Sequence, residues 1–287
     1  MKTGVRFRAI VLTGAQPNQA ALCHKLSAHC EIAAIVLSEN VPRQQPTTLR
    51  KLRLLANRIS GRLVGYSLVD AWQNMQQSYN HLYPKFPDVP TVHVKNINDA
   101  ATLEAIAKHS PDLIVVSGTN LVGKKVIEAA NKTGGVVNLH TGISPYVKGG
   151  PNCTNWCLAE AAFHLIGNTV MWLDTGIDTG KIIATEQTSL TGQETLRELH
   201  WKVMEHAHSL YIGAINRIAN GEPVPSVPKG SIAEGKTYYT VEWSFGAIQR
   251  ALSNFKRHYA PYFMDSARLR TDSATLKLFP LNGRQLN

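Results

Sequence analysis

PDLIVVSGTNLVGKKVIEAANKTGGVVNLH, residues 111–140, reads as a strand, a helix and a strand in succession. Its two apolar runs, Pro111–Ser117 and Gly135–His140, are continuous rather than alternating, the pattern of strands covered on both faces. Leu121–Asn131 between them has helical spacing. The same unit recurs on either side. Arg6–Leu12 reads as a strand, Pro17–Ala28 as a helix, Glu31–Ser38 (EIAAIVLS) as a buried strand, Thr91–Val94 as a short strand and Asp99–His109 as a helix opened by an Asp cap. Further on come a helix over Asn152–Ala162, a strand over Gly167–Leu173 and a strand starting at Lys181. A long helix, Glu194–Ala219, is stopped by Asn220-Gly221 and then Pro223. Strands alternating with helices at this spacing predict an α/β fold with a doubly wound, mostly parallel sheet. Ligands of such sheets sit beyond the carboxyl ends of the strands.

The 287 residues are 44% hydrophobic and 17% charged, enough apolar material for a core and unlike a disordered chain. No run approaches the roughly 18 apolar residues of an ordinary membrane-spanning helix. The opening MKTGVRFRAIVLTGAQPNQ is expected to be a first strand rather than a signal peptide. The formal charge of +10 favours anionic partners without choosing among phosphates, carboxylates, nucleic acid or a membrane surface. Cys153 and Cys157 are four apart and would share a helix face, which invites a zinc reading, but no second pair completes it. Reduced, packed cysteines, no metal and a cytoplasmic location are expected. The loop after the first strand, TGAQPN (Thr13–Asn18), is neither GxGxxG nor a phosphate loop, so dinucleotide binding and ATP hydrolysis lose their main support.

Residues 43–83 break the alternation. No acidic residue occurs from Asn40 to Val69, whereas Arg43, Arg50, Lys51, Arg53, Arg58 and Arg62 are basic. Leu49, Leu52, Leu55, Ala56, Ile59 and Leu63 recur at helical spacing. This predicts a basic amphipathic helix, open to four readings: an inserted helix with a solvated face, a phosphate-binding arm, a membrane-surface helix or an oligomer contact. The chain divides into a core, 1–220, carrying this insertion, and a small appendage, 221–287, rich in aromatic and basic residues. Trp243, Tyr259 or Tyr262 could stack on a base, and Arg250, Lys256, Arg257, Arg268 or Arg270 could meet phosphates. Equally, these side chains could pack the appendage onto the core.

The chemistry is concentrated in Gly134–Ile183. Asn138 and His140 end a strand and point to one face. The glycine-punctuated loop Asp174-Thr175-Gly176-Ile177-Asp178-Thr179-Gly180 ends the strand that follows, and the two strand ends are expected side by side. An amide NH₂ and a protonated imidazole can both donate to the oxygen of a carbonyl under attack, while a carboxylate sets the imidazole's charge and relays the proton shed by an attacking amine. The set suits acyl transfer to nitrogen and needs no serine or cysteine nucleophile.

The ordered pieces Asn138-Leu139-His140, Ser144-Pro145 with Gly149, and Asp174-x-x-x-Asp178-x-Gly180 resemble the folate-dependent formyltransferases, a group that includes the glycinamide ribonucleotide, methionyl-tRNA and sugar N-formyltransferases. The resemblance spans roughly residues 5–215, with specific motifs from about 111 to 183. It implies a Rossmann-like core, 10-formyltetrahydrofolate as co-substrate and catalytic roles for Asn138, His140 and Asp178. It also implies a pterin pocket along Ser117, Gly118, Asn120, Leu121 and Val122, with Asp174 supporting the adjoining loop. The acceptor side would be shaped by Thr141, Ser144, Pro145, Gly149 and Gly150. Gly142 stands where the family often has serine. The TGAQPN loop is unlike the phosphate cradle of the glycinamide ribonucleotide enzymes, and residues 222–287 are short for the β-barrel of the tRNA enzymes. The size matches the sugar N-formyltransferases, which implies a small-molecule amine acceptor on a nucleotide-linked sugar. Nucleic acid is disfavoured and a homo-oligomer is left open. Release of formate to water and a non-catalytic binding role are the other readings.

Overall fold

In the computed structural model the apolar runs become strands of one eight-stranded sheet. The structure describes residues 6–41, 47–130, 133–150, 152–174 and 180–281. In chain order the elements are β1 (Arg8–Gly14), α1 (Pro17–Ser27), β2 (Glu31–Ser38), α2 (Thr48–Leu63), α3 (Tyr66–Leu82), β3 (Thr91–Val94), α4 (Ala100–His109), β4 (Leu113–Ser117), α5 (Lys124–Ala129), β5 (Val136–His140), β6 (Val147–Gly149), α6 (Cys153–Ala159), β7 (Gly167–Leu173), β8 (Lys181–Gln187), α7 (Leu196–Ala219), β9 (Val227–Pro228), β10 (Lys236–Tyr238), α8 (Phe245–Asn254), α9 (Ala260–Met264) and α10 (Ser266–Ala274).

The sheet order is β3-β2-β1-β4-β5-β7-β8-β9. The strands of the first five positions in that order are parallel to one another. From β7 onward the strands are antiparallel. One face packs Val11, Val115, Val137 and Leu139 beneath α1, α3 and α7, and the other packs Ile10, Ile114, Val116 and Val136 beneath α4 and α5. The interruption at 43–83 is two helices, α2 and α3, of which α3 buries Leu68, Ala71, Met75 and Tyr79.

The C-terminal stretch is interleaved with the rest of the chain. β9 adds to the edge of the main sheet, β10 pairs in parallel with β6, and the Thr185 amide donates to the carbonyl of Phe279. Tyr259 and Tyr262 are buried against Phe163, and the Tyr259 hydroxyl donates to Glu194 (2.9 Å). Arg250 lies 3.6 Å from Glu160, and Arg268 sits over the Tyr262 ring. Base stacking by either tyrosine is therefore overturned: both rings are core, because α8 and α9 turn them onto the end of α6.

Two constraints hold the centre. The Tyr211 hydroxyl, fully buried on α7, lies 3.0 Å from Val116 N, 2.9 Å from Val116 O and 2.7 Å from Val137 O, tying β4 to β5. Glu194 receives the amides of Thr191 and Gly192, the Lys202 ammonium and the Tyr259 hydroxyl. Burial alone would raise its pKa; these donors bring it down to about 2.

Tyr211→Phe strands buried backbone groups and is expected to cost about 1–3 kcal/mol in denaturant unfolding. Burial lowers the pKa of His200 to about 4. It lowers that of His208 to about 3, helped by the Lys25 ammonium and opposed by Glu205. The unfolded chain therefore takes up these protons first. Stability is fully present above the ordinary histidine value of 6.5 and falls as pH drops toward 4, by about 1.4 kcal/mol per pH unit for each imidazole. Unfolding free energies measured across that window should show this slope, shallower in His208→Gln.

Candidate active site

β5 lies between β4 and β7, with Asn138 opposite Val116 on one side and Met171 on the other, and His140 opposite Thr169. Both polar side chains are half-buried on one face, while Val137 and Leu139 turn into the core beneath α7. Thr169, fully buried, secures the loop after His140: its hydroxyl donates to Gly142 O (2.6 Å) and accepts from Ser144 N (2.9 Å). The Ser144–Pro145 peptide is cis.

The His140 ring is held from the far side of that loop. Nε2 lies 3.3 Å from the Val147 carbonyl and 3.5 Å from Cys153 Sγ. A carbonyl only accepts, so Nε2 carries the proton in that contact. Burial lowers the His140 pKa; the Val147 bond raises it and the Lys229 charge lowers it further. The described surroundings thus favour neutral imidazole, whereas the sequence reading had it charged by Asp178. Asp178 lies outside the described residues, as do its loop neighbours 175–179 and Arg43.

The expectation that the two strand ends lie side by side is overturned. β7 runs antiparallel to β5, so Leu173 faces Val136, and Asp174 leaves the sheet at the opposite end of β5 from His140. Asp174 is exposed, and Gly180, pressed on the Trp172 carbonyl, closes the loop. Reaching the level of His140 means a return of about 13 Å along the strand.

The segment expected to line a pterin follows β4. Ser117 is buried and its carbonyl accepts from Thr13. Gly118 has φ +67°, the left-handed region, with the Gln19 amide where a Cβ would stand. The side chain of Leu121 is 93% exposed, while Val122 packs toward α4 and α5. Asn40 and Asn98, which the sequence reading missed, brace this loop together with Asn120. The Asn120 amide donates to Asn40 Oδ1 (2.8 Å), Asn40 Nδ2 to Gly118 O (3.0 Å) and Asn98 Nδ2 to Leu121 O (2.9 Å). Backbone groups and one bare apolar side chain are thus presented beside Asn138, which suits a flat heteroaromatic edge.

Of the residues assigned to the acceptor side, Thr141 and Gly150 are half-buried and Gly149 is exposed. Ser144 is 2% exposed and Pro145 is buried, so they set the loop's shape rather than offer a surface. Gly149 has φ +97°, and a Cβ there would stand 2.0 Å from the Tyr238 carbonyl. Trp156 is core: its indole N–H donates to Gly150 O, and its ring stacks on Tyr238. Trp172 is half-buried against the core beneath α7. All four cysteines are free and buried, and no metal-holding cluster occurs among the described residues.

A groove of 390 Å³ adjoins Cys153 through its neighbours Asn152 and Asn155. Gln16 after β1, Trp72 and Gln73 on α3, and Trp243 before α8 complete its polar and aromatic lining. Asn155 Oδ1 is buried there without a hydrogen-bond partner among the described residues. A larger hollow of 550 Å³, lined by Ile183, Arg217, Pro223 and Phe279, is elsewhere, between β8 and the chain's C-terminal stretch.

The Formyl transferase family profile matches residues 62–215, just over half of the chain and all of β5 to β8. The chain belongs to the formyl transferase family. Over 129 residues it is 31% identical to a methionyl-tRNA formyltransferase of Clostridium perfringens (strain 13 / Type A), covering 45% of this chain and 40% of that protein. Over 179 residues it is 26% identical to the one from Citrifermentans bemidjiense, covering 61% and 55%. The matches thus span about half or less of those relatives' own length. In fold it is similar to a sugar N-formyltransferase from a Shewanella species (TM-score 0.52, 11% identity, 86% of this chain and 88% of that one). It is likewise similar to a phosphoribosylglycinamide formyltransferase from Anaplasma phagocytophilum (TM-score 0.51, 16% identity, 82% and 100%).

In this member of the family, a Cβ at Gly142 would stand 2.9 Å from both His140 Nε2 and Cys153 Cβ. Gly142→Ala is expected to cost about 1–3 kcal/mol, and Cys153→Gly, which vacates the crowded space, should recover part of it, read as coupling in a double-mutant cycle.

Proposed function

We propose that this protein transfers the formyl group of 10-formyltetrahydrofolate to a primary amine on a nucleotide-linked amino sugar. The observation that carries the reading is the half-buried Asn138–His140 pair at the end of β5, beside the strand that leads into the bare loop, with His140 touching Cys153, whose neighbour Asn152 lines the groove of Trp72, Trp243 and four side-chain amides. Indole faces and neutral amides suit the ring and hydroxyls of a sugar. The described lining of that groove has no cation, so the basic groups that would meet a diphosphate lie outside it. Lys148 and Lys229 line a neighbouring 330 Å³ depression beside Pro145.

Residues 117–122 would hold the pterin edge through backbone groups, with Leu121 covering its face. The formyl carbon would then lie beside Asn138. As the acceptor nitrogen attacks, the Asn138 NH₂ donates to the developing oxyanion, and the His140 Nε2–H would turn from the Val147 carbonyl to join it. The lowered pKa that burial gives His140 leaves its Nδ1 able to take the amine's proton, with Asp178 stabilising the imidazolium, and the tetrahedral intermediate then collapses as the bond from the formyl carbon to N10 breaks and a proton passes to N10 of the departing tetrahydrofolate.

Asn138→Ala is expected to lower turnover by about 10²–10³ while leaving the fold intact. His140→Ala and Asp178→Asn should nearly abolish it. Near-wild-type rates at saturating folate would remove any of them from the mechanism. Trp72→Ala should raise KM for the amino sugar without changing that for the folate. A gain of one formyl mass, scored over a panel of amines that includes amino-sugar nucleotides, tests the acceptor. The identity shared with methionyl-tRNA formyltransferases favours a second reading, aminoacyl-tRNA as acceptor. It requires formylation of charged tRNA, with an affinity that falls steeply with salt.

A further inference from the structure

α2 is docked the wrong way round for a helix that serves only the fold. At about 100° per residue, Leu49, Leu52, Leu55, Ile59 and Leu63 fall within one arc of roughly 120°. Their exposures are 78%, 59%, 54%, 50% and 77%. The half-buried residues, Leu54, Asn57 and Val64, lie on the other side of the helix, where α2 meets α3 and α8. The turn before α8 adds a polar contact, Asn57 Nδ2 donating to Val241 O (3.2 Å). The apolar stripe therefore points away from the protein. Lys51, Arg58 and Arg62, all exposed, flank one edge of it, and Tyr66, 65% exposed, continues it into α3.

We propose that α2 is an interfacial helix that lays its leucine stripe into the surface of an anionic bilayer. Three features select this occupant. The stripe is convex and about 21 Å long, a shape suited to an open apolar layer rather than to a partner helix, which needs a groove. The segment from Asn40 to Val69 has no acidic residue, so two copies meeting along this face would set cations against cations, whereas phosphate headgroups complement them. An RNA would take the cations and leave the leucines in water. α2 runs into α3 at Gly65, which itself lines the groove described above, so the bound protein would hold that groove close to the headgroup layer.

The full chain is sedimented with vesicles of phosphatidylcholine alone or mixed with phosphatidylglycerol. Binding to the anionic vesicles only is expected. Lys51→Gln, Arg58→Gln and Arg62→Gln should each weaken it by about fivefold. Leu52→Ser with Ile59→Ser keeps the whole charge and should remove most of the binding, while formyl transfer in solution is unchanged. A polarity-sensitive fluorophore on Leu55→Cys should shift to the blue with anionic vesicles, which reads insertion without disturbing the rest of the stripe. The proposal is overturned if the wild-type chain stays in the supernatant at low ionic strength, or if the serine variant binds like wild type, since net charge alone then explains the attraction. It also fails if the fluorophore does not shift, or if the serine variant turns a dimer into a monomer without lipid, which would make a second copy the occupant.

Discussion

One buried hydroxyl fixes the distance on which the site depends. Tyr211 reaches across from α7 and meets the amide and carbonyl of Val116 and the carbonyl of Val137. It therefore clamps β4 to β5 one residue before Ser117 and one before Asn138. Everything that follows those strands inherits that spacing: the loop that would hold a pterin and the amide and imidazole that would act on its substituent. Because the phenol is fully buried, its pKa is driven well above the ordinary tyrosine value by burial, and it stays a proton-bearing donor at any physiological pH. Around it the apolar contacts of Val115, Val137 and Leu139 supply the bulk stability, but they are non-directional. The hydroxyl is what makes the alignment specific.

Much of the fold is legible in the sequence because buried parallel strands announce themselves as unbroken apolar runs. Glu31–Ser38, Thr91–Val94 and Gly167–Leu173 coincide with β2, β3 and β7. What an apolar run does not encode is direction. GNTVMWL reads the same whichever way it is laid beside β5, and the antiparallel outcome separates Asp174 from His140 by the length of a strand. The pairing of Asn138 and His140 on one face follows from the two-residue period and needs no tertiary knowledge. Their surroundings do: Cys153 meets the imidazole only because the loop from Thr141 folds back onto the start of α6. The asparagine brace across residues 40, 98 and 120 likewise joins three separate loops, and no local pattern foretells it. In the last third of the chain, aromatic composition suggested ligand contacts, yet of the three rings named for stacking Trp243 lines a groove while Tyr259 and Tyr262 complete a core of their own.

Charge and chemistry occupy different parts of the molecule. The groove that Asn152 and Asn155 line is otherwise walled by amides, indoles and apolar side chains, and the densest run of cations is on α2, outside it. A basic excess spread in this way says little about what reacts at the site. It bears instead on where the protein resides and what it first encounters, since long-range attraction acts before any short-range recognition. The neutral His140 belongs to the same division: it is set by burial rather than by the protein's overall field.

The seam between β6 and β10 has a consequence for how such a chain can be cut and rejoined. Position 149 must be glycine because the carbonyl of Tyr238 lies where any side chain would begin, and Gly235 presses equally closely on the carbonyl of Pro145. One wall beside the candidate site is thus assembled from two lengths of backbone about ninety residues apart, with no intervening side chains to absorb a mismatch. Grafting the tail of one homologue onto the body of another at residue 220 would distort that wall unless both halves of the seam travelled together. In breeding new specificities by recombination, the segments 144–150 and 235–240 are best inherited as a single cassette.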